Sequence, residues 1–178
     1  MASVVFLRAI NVGGASLCKP AQLAKDLSRF DVVNIGAVDT FVVRANVSEP
    51  ELRKKFAVRL KKDFGIKCEI MIVPAKSIVE LARRDPFAAE LSGPEIVRFV
   101  SVLHNRPRKR LSLPLNLPSE SDWLLKVIVI EKQFVLGVYR RQMKAIGYLG
   151  KIEKIIGQPG TVRSWNTIEK VLKVLANA

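Results

Sequence analysis

One histidine, two cysteines, two tryptophans and two tyrosines are spread over 178 residues. A single histidine, His104, excludes His-rich metal sites and the two-histidine metalloprotease helix. Cys18 and Cys68 lie far apart, so they make neither a disulfide framework nor a zinc-ligand spacing. They suit a reducing compartment, as small core residues. The nucleophile elbow G-x-S-x-G is missing, and so are the Walker lysine spacing and G-x-G-x-x-G. No metal and no cofactor is expected, and the lack of acid/base pairs argues against an enzyme. No run approaches the ~18 apolar residues of a membrane span. The first residues are apolar only as far as Arg8, whereas a secretory signal places its basic residues first. A cytoplasmic protein without a membrane partner is expected.

Acidic residues are also scarce. Sixteen Asp and Glu face 30 Lys and Arg, for a net charge of +14. Residues 1–90 hold 15 basic and 10 acidic residues, net +5; residues 91–178 hold 15 and 6, net +9. Such a field attracts polyanions without specifying one. A soluble surface rich in Lys and Arg is the plainer alternative. Apolar residues make up 49% of the chain, enough for a core.

Val4 to Ile10 reads as a central strand, followed by the loop Asn11-Val12-Gly13-Gly14. Pro20 suits a helix start, and Leu23, Leu27 and Phe30 repeat at helical spacing. Residues 32–37 and 40–45 read as a hairpin. Ser48 is a good N-cap for a helix striped by Leu52, Phe56, Leu60 and Phe64 and stopped by Gly65. Residues 67–73 form another strand. The order β-α-β-β-α-β is that of the ferredoxin-like plait. Beyond it come a short helix at 77–84, a strand at 96–103, and a proline-rich basic stretch at 105–118 where a regular helix is doubtful. A hairpin at 123–139 and helices at 151–156 and 165–176 complete the chain. The expected fold class is α+β: two ferredoxin-like (α/β-plait) units with antiparallel sheets. Their expected extents are 1–90 and 91–178, with the junction inside 75–95.

Leu7-Arg8-Ala9-Ile10-Asn11-Val12-Gly13-Gly14 resembles the L-R-G-I-N-V-G-G signature of the domain-of-unknown-function 1697 family. Thr161-Val162-Arg163-Ser164-Trp165-Asn166-Thr167 is similar to its T-T-R-N-W-N-T. Asp85-Pro86-Phe87 and the stretch 151–157 fall in the family's order. The resemblance implies two plait units in a mostly bacterial protein, and it implies no activity. Ala9 stands where the family has glycine, Ser164 where it has asparagine, and Ala37-Val38-Asp39-Thr40 where it has Q-S-G-N. A site built on those groups would be altered here.

The strand-to-helix loop with Asn11, Gly13 and Gly14 can present backbone N–H groups to an anion, or it can be a tight turn. Arg163, Trp165 and Asn166 combine a fork donor, an aromatic plate and an amide. They can bind a carboxylate, phosphate or base, or they can lock the last helix with Trp165 buried and Ser164 or Thr161 capping. Arg8, Asn11, Gly13 and Gly14 are expected to approach Arg163 and Asn166 if the signatures share one site. Three basic clusters stand out: Lys54, Lys55, Arg59 and Lys62 on one helix; Arg106, Arg108, Lys109 and Arg110 in the proline-rich stretch; and Arg140, Arg141 and Lys144. If charge is functional, the first should join a later cluster on one face. Phe6 and Phe41 are the obvious sheet aromatics for base stacking, too few for a sequence-specific RNA reader of the plait type. His104 is a strand-end histidine or a general base. Three function classes follow: a binding module for nucleic acid or another polyanion, a small-molecule or phosphate site or enzyme built on the signatures, and an interaction protein that forms a homodimer.

Overall fold

Val4-Val5-Phe6-Leu7 is apolar at every position, the pattern of a strand covered on both faces. In the computed structural model, which describes residues 1–8, 18–36, 39–107 and 109–177, this run is the central strand β1 (Ser3–Arg8). It pairs antiparallel with β3 (Thr40–Val43) and β4 (Glu69–Pro74), and β2 (Val32–Asn34) flanks β3. The order β2-β3-β1-β4 is that of the ferredoxin-like plait.

α1 (Pro20–Asp26) and α2 (Glu49–Phe64) supply the helical layer. Leu23, Leu27, Leu52, Phe56 and Leu60 form one buried cluster with Val5, Leu7, Phe41, Val43, Ile70 and Ile72 of the strands. Phe56 meets Phe41 edge to face, centroids 5.4 Å apart. α2 starts and stops where its sequence dictates. The Glu51 N–H donates to Ser48 Oγ at 3.4 Å, and Gly65 takes φ 66° at the C-terminus. The alternate strand residues Val4, Phe6, Val42, Met71 and Val73 are buried as well. α3 (Ala75–Arg83) follows β4.

The second sheet contains β5 (Ile96–Leu103), β6 (Leu115–Leu117), β7 (Leu125–Glu131), β8 (Phe134–Arg140) and β9 (Gly160–Ser164), all antiparallel in the order β6-β7-β8-β5-β9. Without β6 the order β7-β8-β5-β9 repeats that of the first sheet. α4 (Met143–Ile156) occupies the second-helix position and packs Ile152 and Ile156 on Phe99, Leu125, Val127 and Val135. No helix occupies the first-helix position among the described residues: Pro107, Pro114 and Pro118 lie in that connection, where each ring would remove a helical hydrogen bond. The edge strand β6 stands there instead. Gly137 of β8 allows a close approach, since a Cβ would lie 2.1 Å from the Lys126 carbonyl and 2.7 Å from the Phe99 ring.

By contacts the chain divides into Met1–Leu81 with Thr167–Ala178, and Ala82–Asn166. This differs from a cut at residue 90 for two physical reasons. Arg84 pairs with Glu131 at 2.6 Å and Glu90 with Lys126 at 2.9 Å, which ties 82–90 to the second unit. The last helix, α5 (Trp165–Ala176), belongs with the first unit from Thr167 onward, where Arg44 donates to the Val174 carbonyl at 3.2 Å. Two elements also depart from the sequence expectations. α4 begins eight residues before 151: Gly147 and Gly150 weaken the local signal by about 1 kcal/mol each, yet buried Ala145 and half-buried Tyr148 and Leu149 extend its apolar stripe. β9 is mostly polar, with Val162 its one large apolar residue, so no apolar run or sustained alternation marks it as a strand in the sequence. No helix among the described residues is long and apolar enough to cross a membrane.

Candidate functional site

The proline-rich connection that replaces a helix also gathers charge. Arg106, Lys109 and Arg110 line a cleft of about 580 Å³, together with Lys132 from the β7–β8 turn. Leu111, Leu113 and Ile130 make its apolar part. No carboxylate is among the described residues that line it. At the β7 end Ile130 lines the cleft, while the next residue, Glu131, is held by Arg84 at 2.6 Å, and Lys132 enters from the turn. Lys132 is one of three non-glycine residues with positive φ among those described, at 53°. It is the first residue of a two-residue turn between the paired Glu131 and Phe134, a position that favours glycine. The sequence reading missed Lys132; its signal was a lysine in a hairpin turn with no Asn-Gly. Arg108 lies outside the described residues.

In the first unit, Lys55, Arg59 and Lys62 follow one side of α2 and line a cleft of about 300 Å³ with Arg29, Asp26 and Val58. Arg59 lies 3.5 Å from Asp63, and Lys54 is exposed and outside the lining. This helix cleft and the basic loop cleft belong to different units.

The signature residues take several roles. Arg8, at the end of β1, pairs with Glu69 at 2.8 Å. Asn11, Gly13 and Gly14 lie outside the described residues, as do Ala37 and Val38 of the first hairpin. Arg8 is in the first unit, and Arg163, Trp165 and Asn166 are in the second. Arg163 donates to Thr161 Oγ1 at 2.6 Å and to the Val162 carbonyl at 2.9 Å, so its fork is engaged by its own strand. Trp165 is buried, 8% exposed, with its ring edge-on to Phe87 at 5.0 Å. The indole serves packing, as a helix lock requires. Asn166 is exposed and borders a separate cleft with Ser164, Arg98 and Arg141.

Phe6 and Phe41 are fully buried, 0% exposed, so neither offers a face to a nucleobase. Neither cysteine forms a disulfide, and both pack in or against the first core. Burial, followed by the Asp39 carboxylate, pushes each thiol up to about 11, so neither is a thiolate nucleophile near neutrality. His104 is exposed after β5, its backbone N–H donating to the Pro159 carbonyl at 2.9 Å. No group of three His, Cys, Asp or Glu residues that could hold a metal occurs among the described residues.

The fold and its clefts define a basic α+β protein with two antiparallel plait-type sheets and no metal-ligand cluster among the described residues. The family described as "Protein of unknown function (DUF1697)" matches residues 1–122, and the chain belongs to it. No curated protein matches. Among solved structures, a conserved bacterial protein from Streptococcus pneumoniae is similar over 96% of both chains, with a TM-score of 0.62 and 12% identity. At that identity the likeness is one of fold.

Proposed function

We propose that this protein binds nucleic acid through its phosphates, at the cleft formed by the 106–113 loop and the β7–β8 turn. The observation that carries this reading is a cleft whose described lining residues include four cations and no carboxylate. Four cations gathered in one cleft favour a polyanion that releases its own counterions on binding. The helix cleft of the first unit supports the reading less well, because Asp26 lines it and Asp63 already engages Arg59. With Phe6 and Phe41 buried, the sheet cannot serve as a stacking platform. The loop cleft instead offers Leu111, Leu113 and Ile130 to sugar or base edges. Contacts of this kind position a strand without reading its sequence. Sequence preference should therefore be slight.

The test is fluorescence anisotropy with labelled single- and double-stranded oligonucleotides at low salt. A Lys109→Glu/Arg110→Glu variant should lose at least tenfold in affinity, and a Lys55→Glu/Arg59→Glu variant much less. No binding at low salt, or binding indifferent to reversal at 109 and 110, would leave the basic loop as a solubility feature.

A further inference from the structure

Three strands of the second sheet meet at one end. β5 begins there, and β8 and β9 finish there: Ile96 pairs with Arg140, and Phe99 with Ser164. Arg98 of β5, Arg141 beyond β8, Ser164 at the end of β9 and Asn166 in the first turn of α5 line a cleft of about 380 Å³. Leu91, Ile96 and Val97 contribute its apolar wall. That volume suits a small molecule.

The cations in this cleft are supported from behind. The Arg98 guanidinium lies over the Phe87 ring, 5.5 Å from its centroid, and Phe87 meets Trp165 edge to face at 5.0 Å. Both rings are buried. Asp85-Pro86-Phe87 and the Trp165 signature, nearly 80 residues apart in sequence, thus meet beneath one arginine. The Arg141 backbone N–H donates to the Glu95 carbonyl at 2.7 Å, which fixes the chain where that side chain leaves the sheet. No carboxylate is among the described lining residues. Glu95 carries one beside it, against Gly93, where an added Cβ would meet both carboxylate oxygens at 2.8 Å.

We propose that this cleft binds a small phosphate monoester. Arg98 and Arg141 hold the phosphate, the Asn166 amide donates to it, and Leu91 and Ile96 receive the organic body. Two guanidinium forks match the charge and the several acceptor oxygens of a dianion better than a carboxylate, which one fork satisfies. The site shares no residue with the 106–113 loop cleft, and neither reading depends on the other.

Amide NMR titration of the full chain with phenyl phosphate, inorganic phosphate and acetate, at matched ionic strength, tests it. Phenyl phosphate should shift Gly93, Ser164 and Asn166 with the highest affinity, inorganic phosphate should shift the same amides more weakly, and acetate should hardly act. Arg98→Gln and Arg141→Gln should each weaken phenyl phosphate about tenfold or more, the range for a lost charged hydrogen bond. Glu95→Gln should strengthen it by removing a neighbouring negative charge. Lys109→Gln/Arg110→Gln should leave it unchanged while weakening oligonucleotides. If Arg98→Gln disturbs the Phe87 contact and unfolds, Arg98→Lys keeps the charge without the fork, and the peak map of the unsubstituted protein decides by itself. Shifts that fall elsewhere, an equal response to acetate, or affinity that survives both arginine substitutions would overturn the proposal.

Discussion

Lys132→Gly should move stability and binding in opposite directions. Lys132 occupies the left-handed region at φ 53° in the tight β7–β8 turn. An L-residue there costs roughly 1–2 kcal/mol. Glycine removes that cost but gives up about 0.5–1 kcal/mol of unfolded-chain entropy. The net gain should be about 0.5–1 kcal/mol, which for a chain of this size raises Tm by roughly 1–4 °C. The same change removes one of the four cations lining the loop cleft. Oligonucleotide affinity should fall severalfold, and the slope of log K against log salt should become shallower by about 0.7–0.9. Differential scanning calorimetry and anisotropy titrations on one preparation measure both effects, with Lys132→Arg as the charge-preserving control. A lower Tm would refute the strain argument. Unchanged affinity with the glycine variant would remove Lys132 from the binding surface.

Other expectations rest on packing and titration. Gly137→Ala forces a methyl to 2.1 Å from the Lys126 carbonyl, so the β7–β8 pairing must shift; a loss of several kcal/mol should appear in urea unfolding. Trp165→Ala should cost about 3–5 kcal/mol, as for a buried large aromatic, and should disturb the near-ultraviolet circular dichroism of the second unit. The thiols of Cys18 and Cys68 are raised from 9.0 to about 11 in the fold. Their contribution to stability is then complete below about pH 9 and is lost as pH rises through 11. Alkylation of Cys68 by iodoacetamide at pH 8 should be far slower than in urea, and equal rates in both states would contradict the assignment.

The first unit was legible because its signals are local and agree with one another. Ser48, Pro50 and Gly65 bracket α2, its apolar stripe is regular, and β1 has no polar interruption before Arg8. The second unit reads as a looser copy of the first because three prolines stand where a helix would be, and two glycines dilute α4. The strand order of the second sheet bears out the common plan. The basic loop was visible as a run of charge at 106–110, but Lys132 joins it through a hairpin turn that sequence spacing cannot reveal. Arg163 and Trp165 carried polar and aromatic chemistry in the sequence; in the fold Arg163 donates within its own strand and Trp165 is buried, which spacing alone does not show. Arg98 was invisible for the opposite reason. It sits as a single charge in an apolar strand, and its importance comes from Phe87 and Arg141, which only the fold brings near.

The central claim is a phosphate-binding surface at the 106–113 loop, and the salt dependence of oligonucleotide affinity tests it most directly. If all four lining cations neutralise phosphates of a single strand, log K should fall with log salt at a slope near −3, from about −0.7 per phosphate. Neutralising Arg106, Lys109 and Arg110 to glutamine should leave a slope below about −1 in magnitude. A slope near zero in the unsubstituted protein, or one that the three substitutions do not change, would contradict the account.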